Sequence, residues 1–319
     1  MPHLLKNVPS TESRAVIGSL TAAILLTVLK FVAYFLTNSS AIFSDAMESI
    51  VNIAASGFAM YSLYLTHQPA DAEHPYGHGK IEFLSAAVEG GMVLAAAIVA
   101  VVKALDTIIH HADLHIEHLT IGLTFLAIAL AVNGGLGLVL VKVGQRQDSA
   151  TLVADGRHLL SDAFTSFAAI VGLLVVVLSG WRYADPLAAL LVAVYITWTA
   201  VDLLKGAVNG LMDRQDVADQ RLLRSILDAH VGAQGKPPRI CSYHKLRHRH
   251  SGRYHWVDFH IMVPADWDVR RGHQVASTIE FEIEQALGIG NATAHVEPCP
   301  DSACGNCAED EAEARNAAR

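Results

Sequence analysis

The sequence lacks the signatures of several protein classes. It has no basic excess: 23 Lys and Arg stand against 31 Asp and Glu, which gives a formal net charge of -8 and a pI near 6.1. This balance argues against a nucleic-acid partner. The sequence contains no His-Glu-x-x-His run and no nucleophile-elbow glycine pattern, so we do not expect an enzyme. It also lacks the pattern of a cleaved signal peptide, so the first apolar run is expected to stay in the protein.

Long hydrophobic runs, in contrast, are abundant. Hydrophobic residues make up 52% of the chain and the mean hydropathy is +0.34, although 17% of the residues are charged. The apolar and polar sequences are segregated, with the apolar part first. Six apolar runs reach the ~20 residues that cross a bilayer. They cover residues 16–36, 41–65, 83–109, 119–143, 151–178 and 187–212.

Basic residues in the short loops between these runs predict the orientation. Most of them fall on one side of the membrane, and by the positive-inside rule this side and both termini are cytoplasmic. The predicted cytoplasmic residues are Lys6, Arg14, Lys80, Lys142 and Arg146, and the opposite loops contain only Arg182.

Acids, an amide and an imidazole interrupt the second and fifth apolar runs. Asp45, Glu48 and Asn52 are spaced i, i+3 and i+7, so they share one helix face. His158 and Asp162, at i and i+4, also share a face. Such groups are costly in hydrocarbon, face the interior of a helix bundle and mark an ion path. The two faces together therefore predict a divalent-metal site at membrane depth.

After residue 212 the pattern changes to short soluble elements. The predicted order is helix, strand, strand, helix and strand, over residues 216–231, 240–248, 256–264, 270–287 and 292–296. In the second strand Val257, Phe259 and Ile261 alternate with more polar residues, so one face is core and the other carries His260. The predicted fold is an all-α six-helix membrane bundle followed by a C-terminal α+β domain.

With these residues the chain resembles the cation diffusion facilitator family, most of all its bacterial zinc and ferrous-iron exporters, from residue 14 to 298. The resemblance implies a homodimer in the bacterial inner membrane, with a metallochaperone-like αββαβ domain in the cytosol. With these limits the chain divides into four predicted segments: an N-terminal cytoplasmic segment (1–13), a transport domain (14–212), a metal-binding dimerisation domain (213–298) and a tail (299–319).

The family's transport site consists of one residue pair on helix two and one on helix five. The resemblance assigns these pairs to Glu48 with Asn52 and to His158 with Asp162. The helix-two pair departs from the family's usual His or Asp followed by Asp. A local echo, Ser-Asp-Ala-x-x-Ser at 44–49 and 161–166, hints at an internal duplication and instead aligns Asp45 with Asp162, so both registers stay open.

The implied quartet has the charge that a divalent cation needs. Glu48 and Asp162 supply a formal charge of -2 when the imidazole of His158 is neutral. Three oxygen donors and one nitrogen shift the preference from zinc toward iron, manganese or cobalt.

A second cluster follows the second apolar run. Acid and imidazole groups at Asp71, His74 and His78 are spaced to hold one ion in a short loop. The His-x-x-x-His-Gly-Lys run at 74–80 is specific to the family, and the resemblance implies a metal site of these three residues. It further implies a pair between Lys80 and Asp213 that locks the membrane and cytosolic parts of the dimer together.

Eight of the 17 histidines lie after residue 212. The resemblance implies a two-metal cytosolic site that suits zinc. Its predicted ligands are His244, His260, His273, His295 and Glu297. The remaining cluster of His248, His250 and His255 matches no family position and is expected to be solvated.

The sequence has only four cysteines, all on the predicted cytoplasmic side, so we expect no disulfide. Cys299, Cys304 and Cys307 have metal-ligand spacing but supply only three thiolates. Two interpretations remain open, a clip for a soft metal and a loose reduced tail. The tail lacks a periodic apolar face and is predicted to be mostly disordered.

The resemblance implies a divalent metal cation/proton antiporter that exports zinc or a similar ion (iron, cobalt, manganese or cadmium) from the cytoplasm. His158 is the expected proton carrier, because only imidazole has an unperturbed pKa near neutrality. The alternative is a membrane-anchored metal sensor or metal-binding protein without transport, which does not need a full ligand set inside the membrane.

Overall fold

A computed structural model describes residues 8–37, 40–110, 119–181 and 183–300 of the chain. The chain divides into an N-terminal unit, Met1–Leu211, and a C-terminal unit, Met212–Arg319. Several residues that carry predictions fall outside the described part. They are Lys6, Arg182, Cys304 and Cys307, together with the side chains of Asp45 and Glu48.

The described part of the N-terminal unit contains six long α-helices. They are α1 (Ser10–Thr37), α2 (Ser40–Thr66), α3 (Ile81–His110), α4 (Leu119–Arg146), α5 (Ala150–Ser179) and α6 (Ala184–Leu211). Five of them, α1 and α3 to α6, are long and apolar enough to cross a membrane. Helix α2 is 27 residues long and carries polar residues in its first half. The helical bundle predicted from the six apolar runs is confirmed.

Glycines allow α4 and α5 to pack closely. A Cβ atom added at Gly137 would lie 2.9 Å from the carbonyl oxygen of Gly156, and one added at Gly156 would lie 2.7 Å from the backbone nitrogen of Val141. Carbon atoms do not approach backbone atoms so closely, so the interface requires glycine at both positions. Because Gly156 precedes His158 by two residues, this contact fixes the part of α5 that carries the predicted ligands.

A buried cap starts α5. The hydroxyl of Ser149 accepts from the backbone N–H of Leu152 and donates to Glu82 Oε2 over 2.8 Å. Glu82, in the first turn of α3, is fully buried and also accepts from the backbone N–H of Thr151 at 3.4 Å. A carboxylate is stabilised at a helix N-terminus by the unpaired N–H groups and the helix dipole. This buried acid therefore ties α3 to α5.

The C-terminal unit has the predicted αββαβ order. Its elements are α7 (Val217–Ala229), β1 (Ser242–Ser251), β2 (Tyr254–Val263), α8 (Val269–Leu287) and β3 (Gly290–Pro298). Strand β2 is central, antiparallel to β1 and parallel to β3. The parallel pairing follows from the crossover through α8.

The two faces of this sheet differ. On one face Val257, Phe259 and Ile261 are buried against helix residues such as Leu223 of α7 and Ile279 of α8. We call this the covered face. The opposite face, which we call the open face, carries His260, as the alternation in β2 predicts.

Strand β1 contains one extra residue. His244 pairs with His260 and Arg247 pairs with Asp258, so three steps along β1 match two along β2. Lys245 lies in this bulge with a φ of 52°. Because side chains alternate between faces, one extra residue moves all later residues of β1 to the opposite face. His244 is therefore on the open face and His248 on the covered face.

Candidate metal centres

Three of the predicted membrane ligands come together between α2 and α5. The Nδ2 of Asn52 donates to Asp162 Oδ2 over 3.1 Å, and His158 Nε2 lies 3.3 Å from Asn52 Oδ1 and 3.9 Å from Asp162 Oδ2. The side chains of His158 and Asp162 are 6% and 25% exposed. A carboxylate, an amide and an imidazole thus converge in the interior of the N-terminal unit, and we call them the membrane cluster.

The remaining candidates of the quartet are on α2, one and two turns before Asn52. The side chains of Glu48 and Asp45 lie outside the described part of the structure. The choice between them stays a prediction.

Two further acids lie near the membrane cluster, although the sequence analysis did not assign them to the site. Asp155 of α5 and Glu89 of α3 are both fully buried, and each is within electrostatic reach of His158 and Asp162. One signal was available for Asp155. With His158 and Asp162 it repeats the i, i+3, i+7 spacing of the polar face of α2. Buried acids of this kind in a membrane segment mark a path for ions or protons.

The predicted loop cluster is also assembled. Asp71 Oδ1 lies 3.2 Å from His74 Nδ1, and Asp71 Oδ2 lies 3.4 Å from His78 Nε2. The backbone N–H of His74 donates to Asp71 and lowers the pKa of this carboxyl, so it is ionised at neutral pH. Gly77, with a φ of 78°, allows the turn that brings the two rings together.

On the open face, strand register aligns histidines with an acid. His244 pairs with His260 and His260 pairs with His295 across the three strands. Glu297 lies 2.7 Å from His260 Nδ1, 3.2 Å from His244 Nε2 and 3.7 Å from His295 Nε2. The hydrogen bond from His260 lowers the pKa of Glu297, so this carboxylate is ionised. We call His244, His260 and Glu297 the open-face cluster.

His273 does not lie in this cluster. It is exposed near the start of α8, the helix that packs on the covered face. Within one chain the sheet therefore separates His273 from the open-face ligands, and its assignment stays a prediction.

The predicted pair of Lys80 and Asp213 joins residues of the two different units. Within the C-terminal unit, Asp213 Oδ2 lies 3.5 Å from a guanidinium nitrogen of Arg249. The dimer-locking role of the pair stays a prediction.

The expectation that His248, His250 and His255 are solvated is wrong. His248 is buried and the other two are half-buried. The bulge in β1 turns His248 and His250 toward α7, and His255 of β2 lies on the same face. All three meet Asp219 of α7 on the covered face. We call these four residues the covered-face cluster.

Comparisons with known proteins agree with this architecture. The family profile of the cation efflux transmembrane domain matches residues 16–212, and that of the cytoplasmic domain of cation efflux proteins matches residues 233–299. An uncharacterized transporter of Synechocystis sp. is 35% identical over 89% of both chains. Metal tolerance protein 2 of Oryza sativa is 31% identical over 84% of this chain and 73% of its own.

Two further similarities concern a named efflux pump and a solved structure. Cation-efflux pump FieF of Shewanella oneidensis is 26% identical over 88% of this chain and 92% of its own. The solved zinc form of CzrB is 26% identical and covers 26% of this chain and 89% of its own, with a TM-score of 0.24. The profile match across the helical unit and the relatives that span nearly the whole chain establish that this protein is a multi-pass membrane protein of the cation diffusion facilitator family, whose members transport metal cations.

Proposed function

We propose that the chain exports zinc or a similar divalent ion from the cytoplasm in exchange for protons. The observation that carries this proposal is the contact of Asn52, His158 and Asp162 inside the helical bundle. Three metal-capable groups from two helices, buried in an apolar unit, are expensive unless they serve an ion.

The ligand chemistry fits a divalent cation. Glu48 and Asp162 would supply two negative charges, and Asn52 and His158 two neutral donors. Iron, cobalt, manganese and cadmium are alternatives to zinc, because an oxygen-rich site with one imidazole does not select zinc by donor type alone.

The hydrogen bond between His158 and Asn52 supports proton exchange. An amide oxygen only accepts hydrogen bonds, so His158 Nε2 is the donor in the contact with Asn52 Oδ1. The same nitrogen faces Asp162. It must lose its proton before it can bind an ion, so metal and proton compete for one atom.

This competition couples export to the proton gradient. An ion that enters from the cytoplasm displaces one proton from the doubly protonated ring of His158 into the cytoplasm and separates Asn52 from Asp162. A neutral ring would only move its proton to Nδ1 and would exchange none. After the bundle opens outward, protons from the other side return to His158 and to an acid and release the metal. Asp155, one turn before His158, is buried and close enough to serve as this acid.

The rest of the chain is assigned to binding and assembly. We assign residues 14–212 to transport and residues 213–298 to metal binding and dimerisation, in an inner membrane with both termini in the cytoplasm. The open-face cluster would bind metal from the cytosol, and Lys80 with Asp213 would hold the two parts of the dimer together. Ion binding in the C-terminal part would then bias the transport cycle.

The test is metal-driven proton movement in proteoliposomes with an entrapped pH dye. Zinc, iron, cobalt, manganese, nickel and cadmium are each added to one side, and the ion with the highest rate at equal concentration is the substrate. Metal uptake with a proton flux in the other direction is the expected result. Metal binding without any flux would favour a membrane-anchored sensor instead.

His158→Ala separates proton coupling from metal movement. We expect it to lose both metal transport and the associated proton flux. A His158→Ala protein that moves metal with an unchanged pH dependence would show that another group carries the proton.

A further inference from the structure

We propose that the covered-face cluster, Asp219 with His248, His250 and His255, is a second metal site of the C-terminal unit that takes zinc or a similar four-coordinate divalent ion. The site uses none of the residues implied by the family resemblance.

Four of the six separations between its ligand atoms match a tetrahedral site, and all four atoms lie within 4.8 Å of one another. Asp219 Oδ2 lies 3.5 Å from His248 Nε2, 3.0 Å from His250 Nε2 and 3.4 Å from His255 Nδ1. His248 Nε2 and His255 Nδ1 are 3.3 Å apart. Zinc bonds of about 2.0–2.1 Å in a tetrahedron place neighbouring ligand atoms roughly 3.3 Å apart. An ion at the centre would therefore need little movement of the four side chains.

Hydrogen bonding alone explains this convergence poorly. Three imidazole nitrogens surround a single oxygen of Asp219, although a carboxylate oxygen has only two lone pairs. An ion at the centre would instead give each of the four ligand atoms a bond of its own.

The backbone around the site is fixed before any ion binds. Asp216 caps α7 and accepts from the backbone N–H groups of Ala218 and Asp219 over 2.7 and 3.1 Å. His250 and His255 are direct partners in the β1–β2 hairpin. The helix start and the hairpin end therefore present their ligands in defined positions, which lowers the entropy lost on binding.

The donor set indicates the class of ion. Three neutral imidazoles and one carboxylate give a formal charge of -1, and imidazole suits zinc, copper, nickel and cobalt better than magnesium or calcium. The bound ion would join the first turn of α7 to the hairpin. It would thereby stabilise the C-terminal unit whenever metal is present, because only the folded unit assembles the ligands.

The test measures binding, so it does not depend on transport. The full-length protein is purified in detergent, stripped of metal and titrated with Co²⁺, whose visible absorption distinguishes tetrahedral from octahedral coordination, and bound Zn²⁺ per chain is counted after equilibrium dialysis. The variants are Asp219→Asn and His250→Asn, which change half-buried ligands, since His248 is too deeply buried to replace safely. Asp258→Asn, an exposed acid of β2 outside both clusters, is the matched control.

We expect Asp219→Asn and His250→Asn each to lose one Zn²⁺ per chain and the corresponding tetrahedral Co²⁺ signal, and Asp258→Asn to lose neither. His260→Asn, in the open-face cluster, should remove a different ion, and its loss should add to that of His250→Asn. If Asp219→Asn and His250→Asn both bind as many ions as the wild type with the same Co²⁺ spectrum, the covered-face cluster is not a metal site. The His260→Asn background provides an independent check. Zn²⁺ should raise the melting temperature of the His260→Asn protein more than that of the Asp219→Asn/His260→Asn protein, and equal shifts would also overturn the proposal.

Discussion

The membrane cluster and the open-face cluster differ in their metal-binding groups and in their exposure. In the membrane cluster one imidazole, one amide and one carboxylate meet from two helices, and the imidazole is almost fully buried. In the open-face cluster two imidazoles share one carboxylate across three strands, and the side chains are 25% to 37% exposed. Oxygen donors and imidazoles favour different divalent ions. Under the proposed function, the first cluster passes its ion across the membrane and the second binds its ion in the cytosol, so the two sites need not prefer the same ion.

The largest effect is expected from a substitution that disrupts the membrane cluster alone. Asp162→Ala takes away its only described carboxylate, so we expect metal affinity at this site to fall by about 100-fold or more and transport in proteoliposomes to disappear. Zinc binding by the C-terminal unit should remain. Asp202→Ala is the control, because Asp202 pairs with Arg157 at 2.6 Å with its side chain 54% exposed, outside the cluster. Wild-type transport by Asp162→Ala would refute the assignment of the membrane cluster.

A second large effect is expected from a substitution in the helix contact that positions the membrane cluster. Gly156→Ala places a Cβ atom against the backbone of α4, which should destabilise the bundle by roughly 1–3 kcal/mol and reduce transport. Gly135→Ala on α4 meets no atom within 4 Å and is the matched control. Thermal melting in detergent and transport rates check both variants. Equal melting temperatures would mean that the close contact is not needed.

The amide of the membrane cluster gives an intermediate effect. Asn52→Asp changes the formal charge of the proposed quartet from -2 to -3, so both the dication and competing protons should bind more strongly. We expect tighter metal binding at high pH, a steeper loss on acidification and a shift toward zinc. Isothermal titration over a range of pH measures all three. Unchanged affinity, pH dependence and ion preference would show that Asn52 does not touch the ion, and Asp45 would become the helix-two ligand.

The smallest effect is expected from a substitution that changes the stability of the C-terminal unit without touching its proposed metal ligands. Lys236, together with the buried His230, lowers the pKa of Glu282. A carboxyl whose pKa is lower in the folded state than in the unfolded state stabilises the fold at pH values above its unfolded-state pKa, which is near 4.5. This stabilisation is lost as the pH falls through the folded-state pKa. Glu282→Gln should therefore cost about 0.5–1 kcal/mol at pH 7, and little at pH 3. Urea unfolding at both pH values, with Asp258→Asn as control, checks this, and an equal loss at both would contradict it.

The fold was largely predictable because its patterns are local. The apolar run at 151–178 corresponds to α5 at Ala150–Ser179, and the alternation in β2 correctly separated Val257 and Phe259 from His260. Helical spacing also identified His158 and Asp162 as neighbours, since residues i and i+4 meet on any α-helix.

The environment of the hairpin histidines was not predictable in the same way. A strand residue faces one side or the other according to its pairing partner, and the extra residue near Lys245 has no glycine or proline to mark it in the sequence. His248 was therefore predicted to be exposed to solvent, although it lies against α7. Asp155 was missed for a different reason. Its i, i+3, i+7 spacing with His158 and Asp162 is visible in the sequence, but the pair pattern of the family includes only the latter two residues.

The bulge in β1 changes the face of the sheet from which the later side chains of the strand project. Without it, the even-numbered residues His244, His248 and His250 would all project from one face, and the hairpin would present a single exposed patch of imidazoles. With it, one histidine-rich segment supplies ligands to two faces that the sheet keeps apart. A one-residue deletion at Lys245 would consequently reassign the later β1 ligands, His248 and His250, whereas most substitutions there would leave both sets of ligands in place. The number of residues between the histidines, as much as their identity, therefore sets how many separate ions this hairpin can hold.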